Sequence, residues 1–330
     1  MLRFGLLGAG RIGQIHGRNI ASSPDARLVA IADVDSKAAA GLAERTGAEV
    51  RNVDAIIAAG DIDAVLIGTP TDTHANLIEA AARAGKAVLC EKPVDLASAR
   101  VETCLEVVRK AGTPLMIGFN RRFDPNFAAL QKRVADGAVG TVEIVTVISR
   151  DPGPPPVSYI ERSGGLYRDM MIHDFDIARF MLGEEPVEVV AYGSSLVDPA
   201  IGKAGDVDTA LVMLRTASGK LAQISNSRRA AYGYDQRIEV HGSRGMARAE
   251  NVYETTVEVA GESGFTRDPV QNFFLERYAE AYRRELAAFI DAVRNGRATS
   301  PSGEDGLQAQ RLADAATESR KSGRPVAVTV

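Results

Sequence analysis

From Leu2 to about Phe119, short apolar runs (RFGLLG, ARLVAIAD, DAVLIGTP, KAVLCEKP and PLMIGF) alternate with longer stretches such as HANLIEAAARAG, whose apolar positions recur at helical spacing. The runs suit buried strands and the longer stretches suit amphipathic helices. Their alternation predicts βαβ units, and right-handed crossovers make these a doubly wound parallel sheet of the Rossmann kind, residues 1–119. After Phe119 the pattern changes. A helix within DPNFAALQKRVADG is followed by strand-like segments: TVEIVTVISR, VEVVAYGSSL, TALVMLRTASGKLAQISNSRR with a turn at Ser218-Gly219, DQRIEVHGSRGMARAE with a second glycine turn, and ETTVEVAG. Successive hairpins predict a large, mostly antiparallel sheet in a C-terminal α+β domain, residues 120–330. One helix, Tyr167 to Leu182, is expected between the first two of these strands, and two more helices close the chain. The pattern does not decide whether the last, from about residue 305, returns to the first domain. DPGPPPVSY reads as a rigid loop able to line a pocket.

At 330 residues the chain exceeds one ordinary core, which agrees with two domains. Its net charge of -4 exerts no global pull on nucleic acid or an anionic membrane, and the NSRRA patch reads as solvated or at an assembly edge. Cys90 and Cys104 are too few for a disulfide framework and lack metal-ligand spacing. With only four histidines, no protein-bound metal is expected. The N-terminal apolar run leads straight into a glycine-rich turn and reads as a first strand, not a signal peptide. No segment is long and apolar enough to span a bilayer, so the cytoplasm is the expected compartment.

The first candidate chemistry lies in GAGRIG, where Gly8, Gly10, Arg11, Ile12 and Gly13 follow a strand and open a helix. Glycines at this spacing permit a tight turn and close backbone approach to a pyrophosphate at the helix N-terminus. Asp33, twenty residues beyond Gly13, ends the second strand, where a carboxylate can accept ribose hydroxyls. Asp33-Val34-Asp35 offers negative charge and no arginine to a 2′-phosphate, so NAD is expected over NADP. Glu91 and Lys92 stand at the carboxyl end of another strand of the parallel sheet, where ligands bind. In GGLYRDMMIHDFDIARFMLG, helical spacing stacks Asp169, His173 and Asp176 on one face and Met171, Phe175, Ala178 and Leu182 on the other. Phe180 joins the polar face, which therefore suits a pocket wall better than open surface.

The combination of GAGRIG, THANLIEAAARAGKAVLCEKP, GFNRRFDPNF and GGLYRDMMIHDFD resembles the Gfo/Idh/MocA family of sugar and polyol oxidoreductases over essentially the whole chain. GFNRRFDPNF, SRDPGPPPVSY and NSRRAAYGYDQRIEV look most similar to the inositol 2-dehydrogenases within it. The resemblance implies NAD-dependent oxidation of myo-inositol to its 2-keto form, a small-molecule polyol as partner, and a homotetramer. It assigns catalysis to Lys92, Asp169 and His173. It places Thr69, His74, Glu91 and Lys92 with the glycine loop and Asp33 at the cofactor, and puts Lys92, Arg121, Asp151, Asp169, His173 and Tyr234 at the substrate, with Tyr232 a rival to Tyr234. Asp151 stands where some relatives are expected to carry Asn. The residue types suit the chemistry: an imidazole to take the hydroxyl proton, a carboxylate to orient it, and a lysine cation to steady the developing alkoxide. The alternatives are a dehydrogenase of scyllo-inositol, chiro-inositol or an aldopyranose, and a sensor without turnover, which would not need Lys92, Asp169 and His173 together.

Overall fold

β1 (Leu2–Leu7) buries all but one of its side chains, as a strand covered on both faces must. It joins β2 (Ala26–Ala32), β3 (Glu49–Val50), β4 (Ala64–Ile67), β5 (Ala87–Glu91) and β6 (Leu115–Gly118) in one six-stranded sheet, order β3-β2-β1-β4-β5-β6, in which every neighbouring pair is parallel. The crossovers contain α1 (Arg11–Ser22), α2 (Ser36–Thr46), α3 (Val53–Ala58), α4 (His74–Arg83) and α5 (Ser98–Ala111). Strand order reverses between β1 and β4, which opens a crevice above the carboxyl ends of these two strands.

The computed structural model describes residues 1–329, which divide into two units: 1–123 with 281–310, and 124–280 with 311–329. The second unit begins with α6 (Pro125–Ala135), capped by the Asp124 carboxylate, which accepts the Asn126 and Phe127 N–H groups at 3.1 Å and is paired with the buried Arg277 guanidinium. There follow β7 (Val142–Arg150), α7 (Val157–Ser163), α8 (Gly165–Asp169), α9 (Ile172–Leu182), β8 (Pro186–Ser194), α10 (Pro199–Lys203), β9 (Thr209–Thr216), β10 (Leu221–Ser227), β11 (Asp235–Gly242) and β12 (Gly245–Ala249). An exposed hairpin of β13 (Glu258–Gly261) and β14 (Gly264–Arg267) precedes α11 (Phe274–Arg277), α12 (Ala279–Arg294), α13 (Gly303–Ser322) and β15 (Val326–Ala327). The seven-stranded sheet runs β12-β11-β7-β10-β9-β8-β15, antiparallel except for the β7–β10 pair.

Alternation along these strands gives the large sheet two unlike faces. Val145, Val147, Val212, Leu214, Ala222, Ile224, Ile238 and Val240 are buried on one, and α9 packs on β7. The other exposes Ile144, Tyr192, Leu211, Met213, Leu221 and Met246, with Leu221 opposite Ile144 and Tyr192 opposite Leu211.

Two expectations are corrected. The single helix from Tyr167 to Leu182 is two helices, interrupted at Met170-Met171. The Met171 N–H bonds back five residues to the Leu166 carbonyl at 2.9 Å, a wide turn that breaks the four-residue ladder between Asp169 and His173. The chain from 281 to 310 belongs to the first unit and not to a second domain beginning at 120. The reason is burial: Leu286, Phe289 and Ile290 on one face of α12 complete the core built from Phe4, Leu28, Leu66, Leu89 and Met116, with the Phe4 and Phe289 rings 5.9 Å apart. Residues 299–302 then run beside β6, where the Ile117 N–H donates to the Pro301 carbonyl at 3.1 Å. Among the described residues no helix is long and apolar enough to cross a membrane, and no group of three or more His, Cys, Asp or Glu is arranged to hold a metal ion.

Candidate active site

In the first unit, the glycines of the β1–α1 loop have separable causes. Gly8 has φ +101°, and a Cβ there would stand 2.5 Å from the Gly68 carbonyl oxygen; one on Gly13 would stand 2.1 Å from that of Gly8. A Cβ on Gly10 would meet nothing within 4 Å. Packing within the protein thus requires Gly8 and Gly13, whereas Gly10 leaves open space at the start of α1. That helix has no side-chain cap and no acid in its first turn, so its leading N–H groups, flanked by exposed Arg11 and half-buried Ile12, remain suited to a dinucleotide's pyrophosphate. Asp33 is fastened by accepting the Ala9 N–H at 2.5 Å and the Asp35 N–H at 2.7 Å. Its carboxylate retains lone pairs for ribose hydroxyls, and Val34 beside it is fully exposed.

The Glu91-Lys92-Pro93 segment leaves β5 held on both sides. Glu91 Oε1 lies 2.7 Å from Nε2 of buried His16, in α1. The Pro93 carbonyl lies 2.7 Å from His74 Nδ1, and the Thr69 carbonyl 2.8 Å from His74 Nε2. A neutral imidazole can donate to one of these carbonyls, an imidazolium to both. Either way the ring nitrogens of His74 are directed at backbone, so it ties the β4 and β5 loops together and has no ring nitrogen to offer a cofactor. Thr69 Oγ1 meets Thr73 Oγ1 at 2.6 Å, and Lys92 is half-buried. Arg121 is buried in the turn after β6, and the adjacent Arg122 pairs with Asp305 at 2.8 Å.

In the second unit, Asp169 ends α8 and His173, half-buried, lies in the first turn of α9. The Tyr159 hydroxyl donates to Asp169 Oδ1 at 3.0 Å, and the Arg228 guanidinium stands 3.5 Å from Oδ2. The Pro-rich loop therefore does more than brace the fold, because it leads into α7 and carries Tyr159 to this carboxylate. Arg228 corrects the reading of NSRRA as solvated: it is 2% exposed. Its N–H donates to the Asp208 carbonyl at 2.8 Å. The Asp208 carboxylate accepts the N–H groups of Leu196, Val197 and Asp198, and these bonds outweigh its desolvation to hold its pKa below the usual range. The signal for Arg228 was in the sequence, since the two-residue alternation of buried Ala222, Ile224 and Asn226 continues onto it.

Asp176 leaves the predicted stripe: it is buried, 3.4 Å from Arg179, which also bonds Glu185 at 2.6 Å. Asp174 is likewise buried and accepts from Asn226 at 2.9 Å, fastening α9 to β10. Asp151 follows β7, with its N–H on the Ser227 carbonyl at 2.9 Å. Tyr234 is buried with its ring edge-on to Tyr278 at 5.9 Å. The Tyr232 hydroxyl instead donates to Asp235 at 2.6 Å and accepts from Arg150 at 3.0 Å, and burial followed by the Asp235 contact pushes that phenol's pKa up.

Comparison with known proteins adds to this geometry. Residues 2–119 match the family model described as oxidoreductase family, NAD-binding Rossmann fold, and residues 131–328 match its C-terminal alpha/beta domain. A relative from Rhizobium meliloti (strain 1021), named inositol 2-dehydrogenase, is 58% identical over 327 residues, 99% of each chain. The crystal structure of a myo-inositol dehydrogenase from Corynebacterium glutamicum ATCC 13032 superposes with a TM-score of 0.96 at 47% identity, covering 100% of this chain and 99% of that one. A scyllo-inositol dehydrogenase from Lactobacillus casei, solved with bound NAD(H) and scyllo-inositol, superposes with a TM-score of 0.92 at 32% identity, covering 99% of each.

Proposed function

The chain belongs to the Gfo/Idh/MocA oxidoreductase family, with NAD as its cofactor, and from that premise we propose that it oxidises myo-inositol to the 2-keto form. The observation that carries the reaction type is the Asp169 carboxylate, held by Tyr159 and Arg228 and separated from His173 by one wide helical turn. The inositol substrate is supported by the relatives' names.

The open space at Gly10 and the N-terminus of α1 hold the pyrophosphate, Asp33 takes the ribose hydroxyls, and Val34 offers the adenine an apolar contact. NAD, when bound, supplies the acceptor for the hydride lost from the alcohol carbon. His173 removes the hydroxyl proton at a ring nitrogen, with Asp169 favouring the imidazolium that results. Lys92 steadies the oxygen as negative charge develops on it. Arg121, Asp151 and Tyr234 read the remaining ring hydroxyls. A scyllo-inositol preference is the second reading, supported by the relative that carries that ligand. The exposed row from Ile144 to Met246 is the face we assign to assembly as a homotetramer, which light scattering on the purified protein tests.

The deciding experiment is NADH formation, followed by absorbance, with myo-inositol, scyllo-inositol, chiro-inositol and glucose offered separately. A rate dominated by myo-inositol supports the reading, and a rate dominated by another panel member moves the substrate assignment. NAD binding without turnover on any of the four argues against it.

A further inference from the structure

Glu91 is joined through His16 and Tyr282 to ionisable side chains of α1 and α12 that the proposed reaction leaves unused. Glu285, in α12, is 0% exposed, and neither of its carboxyl oxygens has a hydrogen-bond partner among the described residues. Glu91, from β5, acts on it through its charge, and Tyr282, three residues before it on α12, reaches the His16 ring of α1 that holds Glu91. The His16 and Tyr282 rings meet edge to face at 5.4 Å, and His16 holds Glu91 at 2.7 Å through Nε2, its buried Nδ1 having no partner among the described residues. A carboxylate anion with no donor, beside a second carboxylate, is among the costliest groups a core can hold, whereas the neutral acid costs far less.

We propose that Glu285 stands as a neutral carboxylic acid and is a positioning residue for Glu91-Lys92-Pro93, sparing the Glu91–His16 contact a second buried charge. This rests on the reading above only in taking Lys92 as a reactive group. Burial first, and then the charge of Glu91, push the Glu285 pKa well above the usual carboxyl range, in the direction the geometry requires. Loss of that proton would set a second negative charge against Glu91 and weaken its hold on His16, shifting the segment that carries Lys92. Turnover should therefore fall on the alkaline side as Glu285 titrates.

The test compares wild type with Glu285→Gln, a neutral isostere, and Glu285→Ala. A carboxyl whose folded pKa is raised holds its proton more tightly in the folded state. Wild type must then lose stability relative to Glu285→Gln as pH rises above the unfolded value and toward the folded one. Denaturant midpoints of the ligand-free proteins, taken from about pH 5 to about pH 9, should diverge progressively in that sense. Glu285→Ala should lower kcat by about tenfold with the KM for NAD unchanged, and Glu285→Gln should restore it and remove the alkaline fall. Parallel midpoint curves for wild type and Glu285→Gln, or equal impairment of the two variants, would overturn the proposal. Failure of the Lys92 assignment is separately visible, because Lys92→Ala would then turn over normally while the midpoint curves still diverged.

Discussion

Arg228 Nη2 lies 3.5 Å from Asp169 Oδ2, joining the residue that follows β10 to the carboxylate that ends α8. The guanidinium is 2% exposed, so it acts on Asp169 with little screening by water. Arg228→Gln, which keeps the bulk and removes the charge, is expected to lower kcat by roughly 10- to 100-fold, the range for losing a charged hydrogen-bond partner, while leaving the KM for NAD unchanged. Steady-state kinetics with each substrate varied in turn separates the two constants, and an effect confined to the KM for NAD would contradict this role.

His173→Ala and Lys92→Ala should each reduce kcat by about 100-fold or more, the scale of a lost general base or oxyanion partner. Calorimetric titration should find NAD affinity reduced far less than kcat in both. Near-normal turnover in either variant would remove that residue from the mechanism.

Gly10→Ala and Gly13→Ala should separate binding from folding. A Cβ on Gly10 meets open space, so that variant should keep its melting temperature and lose NAD affinity by about tenfold or more. A Cβ on Gly13 meets the Gly8 carbonyl at 2.1 Å, so that variant should melt earlier whether or not cofactor is present. Thermal unfolding with and without NAD distinguishes the two.

Glu184 carries a pH dependence of opposite sign to that of Glu285. Bonds from the Ser218 hydroxyl at 2.5 Å and the Ser218 N–H at 2.9 Å hold its pKa down at about 2. A depressed folded pKa adds stability above the unfolded value of 4.5, and this is lost as pH falls through about 2. The stability gap between wild type and Glu184→Gln should therefore be constant near neutrality and close progressively in acid, as read from denaturant midpoints at each pH.

The parallel sheet, the hairpins at Gly219 and Gly245 and the glycine loop were legible because each depends on a local pattern: strand runs, a turn residue, a motif before a helix. The interruption between Asp169 and His173 was not legible, since helical spacing alone cannot reveal one hydrogen bond displaced by a residue. Arg228 reads as solvated because a charge in sequence does so unless its partner is known, and Asp169 is a partner that only the fold supplies; Asp176 joins the pocket-facing stripe by spacing, and only the fold shows it paired with Arg179. Glu285 did leave a trace, because it occupies an apolar position in the buried series Ala281, Tyr282, Leu286, Phe289 and Ile290.

That same face of α12 has a consequence for how the protein is made. The six-stranded sheet is fully synthesised by residue 118, yet Leu286, Phe289 and Ile290, which complete its core, are translated far later. A nascent chain therefore carries an unfinished apolar surface from residue 118 until residue 290 is made, a period in which exposed strands recruit chaperones or aggregate. A fragment ending at Phe123 should be protease-sensitive and bind hydrophobic dyes, and co-expression of residues 281–310 in trans should relieve both. For this family member, the commitment to fold its first-encoded sheet waits until residues 286–290 have been made.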